Sequence, residues 1–213
     1  MKFVITAGPT REHIDPVRFL SNPSTGKMGF AVARAAAVRG CETVLVAGPV
    51  ALGTPAGVRR VDVVSARQML AAVKRELEDG EPAVLVATAA VADWRPERCA
   101  GSKLKKRDME PVIRLKRNPD ILKLMRRMRS RADGLRLVGF AAETDDVIAE
   151  AGRKCREKGL EFIVANDVTE AGSGFAVDTN RVTFVYPDGE IKALPRMTKL
   201  RVAGKIVDEI LGL

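Results

Sequence analysis

The sequence predicts an α/β fold built on a doubly wound, mostly parallel sheet. Three observations carry that expectation. Apolar runs alternate with amphipathic or Ala-rich helical stretches through most of the 213 residues. The apolar runs are near-continuous, the pattern of strands buried on both faces. Gly or Pro punctuates many of their ends, as turns require.

The elements follow in order. "KFVITAG" (2–8) reads as a buried strand ending at Gly8-Pro9, and residues 9–25 read as loop. "GKMGFAVARAAAVRG" (26–40) is an Ala-rich helix closed by Gly40. "ETVLVAG" (42–48) and "VRRVDVV" (58–64) are strands, and "SARQMLAAVKRELEDG" (65–80) is a helix with Ser65 as N-cap. "PAVLVATAAV" (82–91) is the most apolar strand; a helix at 119–129 has Pro119 in its first turn. A strand at 136–142, a helix at 146–159 and a strand at 161–167 come next. "RVTFVYPDGEIKAL" (181–194) alternates around Asp188-Gly189 and reads as a hairpin, and 198–213 is a closing helix. With no internal repeat or low-complexity linker, residues 1–213 read as a single domain.

Ligands in such folds bind beyond the carboxyl ends of the strands. Gly8, Asn22, Asp93 and Asn166 are therefore expected around one crevice. Gly26 and Gly29 open the first helix, whose unpaired N–H groups and positive dipole end suit a phosphate, with Ser24 and Thr25 adding hydroxyls. Packing of helix on sheet is the other use for those glycines. "SNPSTGKMG" (21–29) resembles a Walker loop, but Ser21 and Met28 stand where that loop needs Gly and Ser or Thr. Past the 82–91 strand, small Ala89 and Ala90 would admit a ligand, and Asp93 could accept from a ribose hydroxyl. Lys154 and Lys158 share one helix face, either as a surface pair or at the crevice.

The net charge is +9, and its placement is informative. Residues 98–136 hold fourteen Lys/Arg against four Asp/Glu, net +10, so the remainder nets −1. This segment has no Phe, Tyr or Trp, a poor design for stacking single-stranded bases. A small polyanion such as a nucleoside triphosphate, or simply a solvated basic face, fits it better. Its first part, 98–110, reads as a basic flap with little apolar anchor, expected to stay mobile until a nucleotide binds.

Cys41, Cys99 and Cys155 are widely spaced, and His13 is the sole His, so no zinc set emerges. Reduced cysteines, no signal sequence and no apolar run of about 18 residues give a cytoplasmic expectation without a membrane partner. One Gln and four Asn, with many charges, hint at heat stability.

Several stretches together resemble one family. "ITAGPTREHIDPVRFLSNPSTGKMGFAVA", "ATAAVADWRP", "KLKK", "KRNPDIL", "VGFAAET", "KGLEFIVANDV" and "FAVDTNRVTFV" stand in the order seen in phosphopantothenate–cysteine ligase, the ligase half of the bifunctional coenzyme A biosynthesis protein. The resemblance implies a Rossmann-like sheet with a C-terminal β-hairpin and the basic flap. It implies that 4′-phosphopantothenate is activated by CTP with Mg²⁺, giving an acyl-cytidylate and pyrophosphate, and that cysteine then displaces CMP. Metal ligands stay unassigned. It further implies a homodimer, with the 181–194 hairpin one candidate contact, and a flavin-dependent decarboxylase as a fused or separate partner; nucleic acid is not expected.

By motif, Asn22 matches the residue that orients the acyl-cytidylate, and Lys103, or else Lys105 or Lys106, the flap lysine; Asn22 and Lys103 are the catalytic candidates. Gly8, Ser24, Gly26 and Gly29 match the loop holding the nucleotide and acyl phosphate. Ala89, Ala90 and Asp93 match contacts to nucleotide or phosphopantothenate. Asn118, Pro119, Asp120, Ile121 and Phe140 match the nucleotide pocket, as do Lys154 and Lys158, with Asn166 a polar contact. Two rivals remain. A nicotinamide-dependent oxidoreductase would want a glycine fingerprint and a catalytic Tyr, whereas Tyr186 sits in the hairpin. A nucleic-acid-binding module would use 98–136.

Overall fold

A computed structural model describes residues 1–78, 80–108, 112–129, 134–143, 145–167, 169, 174 and 177–213. Near-continuous β-branched and apolar runs form the strands β1 (Lys2–Ala7), β4 (Glu42–Ala47), β5 (Arg59–Asp62), β6 (Ala83–Ala87), β9 (Leu135–Glu143) and β10 (Phe162–Asp167). They pair in parallel in the order β10-β9-β6-β1-β4-β5. The hairpin strands β12 (Val182–Val185) and β13 (Ile191–Ala193) extend the β10 edge antiparallel, completing an eight-stranded sheet.

Side chains alternate across this sheet and fill two cores. Phe3, Ile5 and Ala7 of β1 face α1 (Lys27–Val38) and α5 (Lys199–Leu211), joining Phe30, Val32, Phe162, Phe184, Val202 and Ile206. Val4 faces the other way, into a core with Met69, Leu85, Met125, Leu137 and Ile163, covered by α2 (Ala66–Leu77), α3 (Ile121–Arg129) and α4 (Val147–Lys158). Both faces are thus covered, as the apolar strands require. Caps set the helix ends. Ser65 and Gln68, the sole Gln, form a reciprocal capping box on α2. Asp120 accepts from Lys123 N at 3.1 Å before α3, and Thr198 accepts from Arg201 N before α5.

Three expectations change. Residues 9–25 are not all loop: β2 (Arg11–His13) and β3 (Phe19–Ser21) form a small hairpin. A second one, β7 (Trp94–Pro96) with β8 (Leu115–Arg117), frames the basic stretch, and β11 (Thr179–Asn180) pairs with β14 (Met197–Thr198). Strands of two or three residues are too short to show an alternation. The 82–91 run is interrupted as a strand after Ala87, where Thr6 Oγ1 accepts from Ala89 N at 3.3 Å, and pairing resumes as a single parallel bridge between Pro9 and Ala90.

Candidate active site

The sheet delivers its carboxyl ends to the mouth of α1. Gly26 caps that helix in the left-handed conformation (φ 78°) that disfavours any residue with a Cβ. Among the described residues no side chain caps the helix and its first turn holds no acid, so no side-chain charge or cap offsets the positive end of its dipole. Gly29 has a different reason. A Cβ there would lie 2.5 Å from Ala7 Cβ and 2.4 Å from Thr88 Oγ1, so it is needed for helix–sheet contact.

A cavity of about 70 Å³ opens at this helix end. Its wall includes Ser24, Thr25, Gly26, Phe140, Asn166 and Lys199. Two cations stand over it. Lys27 pairs with the exposed Asp178 at 2.6 Å, which holds that carboxyl below its ordinary range. Lys199 is 6% exposed and donates to Gly174 O at 2.8 Å and Val177 O at 2.6 Å. Burial, and then the neighbouring Lys27 charge, push its pKa down. Asn166 is buried on the same wall, and its Oδ1 has no hydrogen-bond partner among the described residues. A buried orphan acceptor is costly unless a ligand answers it.

A second cavity, about 240 Å³, shares Phe140 with the first. Ala89, Asp93, Asn118, Pro119, Asp120, Ile121 and Lys158 line it. Lys158 pairs with Asp120 at 3.0 Å. Asn118 is fixed on three sides: its N donates to Asp93 O (2.7 Å), its Nδ2 to Ala92 O (2.8 Å), and its Oδ1 accepts from Arg95 (2.8 Å). It is a rigid wall of the cavity, with its side-chain hydrogen bonds spent inside the protein. Among the described residues the expected crevice is divided into two adjoining cavities, one with Lys27 and Lys199 and one with Asp93, Asp120, Lys158 and apolar groups.

Gly8, Asn22 and Ala90 line neither cavity but join beside them. Ala90 N donates to Gly8 O (2.9 Å), and Asn22 Nδ2 donates to Ala90 O (3.1 Å). A Cβ on Gly26 would lie 3.5 Å from Gly8 Cα, which puts this cluster at the α1 mouth. Lys154 and Lys103 are not among the lining residues of either cavity. Lys154 sits a turn before Lys158 on α4, and Lys103 is exposed on the flap. The flap is better anchored than its composition suggested. Ala100 N donates to Ile14 O (2.9 Å), and Leu104 is held through both its N–H and its C=O by Asp15 and Arg18. Flap residues 109 and 110 lie outside the described residues.

Among the described residues no three His, Cys, Asp or Glu side chains come together as a metal cage. Mg²⁺ is often held by one or two carboxylates together with substrate phosphates. Asp93 is an exposed carboxylate on the cavity that fits such use. Burial pushes the Cys155 thiol up to about 11. Tyr186 donates to Glu209, and burial with that partner raises its pKa. His13 Nδ1 lies 3.3 Å from Asp15 O.

Sequence reasoning left Lys27, Lys199, Asn180, Asp15 and Arg18 unassigned. Lys27 stands inside the Gly-Lys turn, and Asn180 is buried and lines the first cavity. Lys199 gave no signal, since a lysine opening a helix reads as surface.

Known proteins with this pattern are consistent among themselves. A family model for the DNA/pantothenate metabolism flavoprotein C-terminal domain matches residues 1–213. The coenzyme A biosynthesis bifunctional protein CoaBC of Bacillus subtilis (strain 168) is 46% identical over 211 residues, 99% of this chain and 51% of that protein. The chain thus spans about half the length of the curated relatives it matches. A crystal structure of the C-terminal domain of CoaBC superposes with a TM-score of 0.82 at 44% identity, covering 98% of this chain and 93% of that one. A DNA/pantothenate metabolism flavoprotein from Streptococcus pneumoniae, 23% identical, shares the fold with a TM-score of 0.81, covering 100% of this chain and 99% of that one.

Proposed function

The chain belongs to the family of the DNA/pantothenate metabolism flavoprotein C-terminal domain, and from that premise we propose that it joins 4′-phosphopantothenate to cysteine in coenzyme A biosynthesis. The observation that carries this reading is the pairing of two unlike cavities across Phe140. The cationic one, with its uncapped helix and orphan Asn166, suits an anion that also offers a hydrogen-bond donor. The second, with Asp93 and apolar walls, suits a ribose and base.

In this reading a carboxylate oxygen of phosphopantothenate attacks the α-phosphorus of CTP, and pyrophosphate leaves. The acyl phosphate then lies at the α1 mouth, where backbone N–H groups and Lys27 stabilise its charge. Asn22, beside it, orients the acyl-cytidylate. The cysteine amine attacks the acyl carbon, loses a proton, and CMP departs with the bridging oxygen. Mg²⁺, carried on the triphosphate with Asp93 as a protein ligand, would offset charge on the leaving pyrophosphate. Lys103, Lys154 and Lys158 are the nucleotide-binding lysines in this scheme. A homodimer is part of the proposal; its contact draws on the exposed Val17, Phe19, Trp94 and Leu115 of the two small hairpins rather than on the 181–194 hairpin alone. A flavin-dependent decarboxylase remains the proposed fused or separate partner.

The test is release of CMP and pyrophosphate from CTP. It should require phosphopantothenate and cysteine together for sustained turnover. Turnover of ATP in place of CTP would change the nucleotide assignment, and turnover of neither would remove the ligase reading.

A further inference from the structure

The loop between β2 and β3 holds a carboxylate with no solvent exposure, Asp15. Isolated burial of such a charge is strongly unfavourable, and five N–H groups answer it. Val17 N and Arg18 N donate to Oδ1, each at 2.8 Å. Arg18 Nε (3.0 Å) and Nη2 (2.5 Å) donate to Oδ2. The fifth comes from far along the chain: Leu104 N donates to Oδ2 at 3.2 Å. Arg18 Nη2 also donates to Leu104 O at 2.8 Å. Both peptide groups flanking Leu104 are therefore gripped, one through its N–H by Asp15 and one through its C=O by Arg18. The Arg18 guanidinium holds the Asp15 carboxyl well below the usual carboxylate range, so the acceptor stays charged at any working pH.

We infer that Asp15 and Arg18 are positioning residues that clasp the basic flap at Leu104 and so fix where Lys103 and Lys105 stand. The grip reads only backbone, so it leaves the flanking ammonium groups for a ligand. Lys103 and Lys105 are both exposed, whereas Leu104 between them is half-buried. Ala100, bonded to Ile14 O of the same loop, supplies a second anchor four residues earlier. The flap thus reaches any anion from a fixed base, and less of its ordering entropy has to be lost when the anion arrives. The guanidinium is required for this: its planar fork donates to the carboxylate and the carbonyl together, which a single ammonium cannot reproduce in the same geometry. The catalytic consequence rests on the ligase reading; the clasp itself does not.

The experiment is hydrogen exchange and limited trypsin digestion on the ligand-free protein, its Arg18→Lys variant and its Arg18→Gln variant. In the wild type the Leu104 amide should exchange at least about tenfold more slowly than those of Ser102 and Lys103. In Arg18→Gln that protection should vanish, and cutting after Lys103 and Lys105 should quicken about tenfold while exchange in β1 and β6 is unchanged. Arg18→Lys, which keeps the charge but not the fork, should fall between. CTP turnover should drop with the same ranking, through kcat more than through the KM for CTP. An unprotected Leu104 amide in the wild type overturns the clasp even if the variants fail to fold. So does lost turnover in Arg18→Gln with an unchanged flap, which would make Arg18 a substrate contact. Absent turnover in the wild type with a protected Leu104 would sink the ligase reading and leave the clasp standing.

Discussion

The two ends of the sheet treat buried polar groups in opposite ways. At the amino ends, Glu76 is buried and fully answered: Arg59 pairs with its carboxylate, and Lys2 approaches it at 3.8 Å while donating to Glu76 O at 2.7 Å. Glu161, just before β10, is ion-paired with Arg129 at 2.6 Å, although no aligned hydrogen bond reaches its buried Oε1. At the carboxyl ends the same rules go unmet. Asn166 Oδ1 has no hydrogen-bond partner among the described residues, and α1 begins without a side-chain cap. One sheet supports both ends, so the difference is not a matter of folding. The carboxyl ends hold back hydrogen bonds and charge that a ligand can complete, whereas the amino ends spend theirs on stability.

The sharpest way to break that contrast is Asn22→Ala. Asn22 is exposed, and its side-chain hydrogen bond to Ala90 O is a surface one. Turnover should fall about a hundredfold, comparable to losing an oriented hydrogen-bonding group at a reacting centre. Stability should change by about 1 kcal/mol or less. A large fall in Tm with full activity in the surviving protein would make Asn22 a structural residue.

Glu76→Gln probes the other end. It removes a charged acceptor from Arg59 and Lys2, so unfolding free energy at neutral pH should drop by about 1.5–3 kcal/mol while turnover per folded molecule is kept. The Arg59 hydrogen bond lowers the Glu76 pKa below its ordinary 4.5. Its stabilisation is therefore complete above that value and disappears as pH falls through the lowered one. Urea melts across pH 7 to 2 should show the wild type and variant converging only at the acid end. A constant gap would mean the loss is packing, not charge.

Asn166→Leu should have the smallest effect and the most diagnostic sign. Replacing an orphan polar side chain with an apolar one of similar volume should leave Tm unchanged or raise it. Turnover should still drop about tenfold, the factor expected when a ligand loses one hydrogen bond. A destabilised Asn166→Leu with normal turnover would place the Asn166 amide in the fold instead of the site.

The sheet and five helices were legible because long apolar runs and capped helices repeat their signal over many residues. Ser65 and Gly26 announced their helix starts directly. The small hairpins were not legible: three residues such as Phe19–Ser21 carry no period, and they are held by pairing across a turn. Residues of the site were legible singly, but their partition into two cavities was not. That partition runs through Phe140, which lines both, and rests on Asn118 being locked by Arg95 and Ala92. Such long-range contacts have no local spelling. The flap's attachment to the first loop was not legible for the same reason. Its composition lacks an apolar anchor, yet its anchors are backbone groups, which composition does not record.

The account stands most directly on the order of the two chemical steps. With phosphopantothenate and CTP present and cysteine left out, a single-turnover experiment should release pyrophosphate up to about one equivalent per site and then stop, because the activated acyl group has no amine to meet. CMP should follow only when cysteine is added. If no pyrophosphate appears until cysteine is supplied, activation does not precede condensation, and the two cavities across Phe140 do not divide the work in the way proposed.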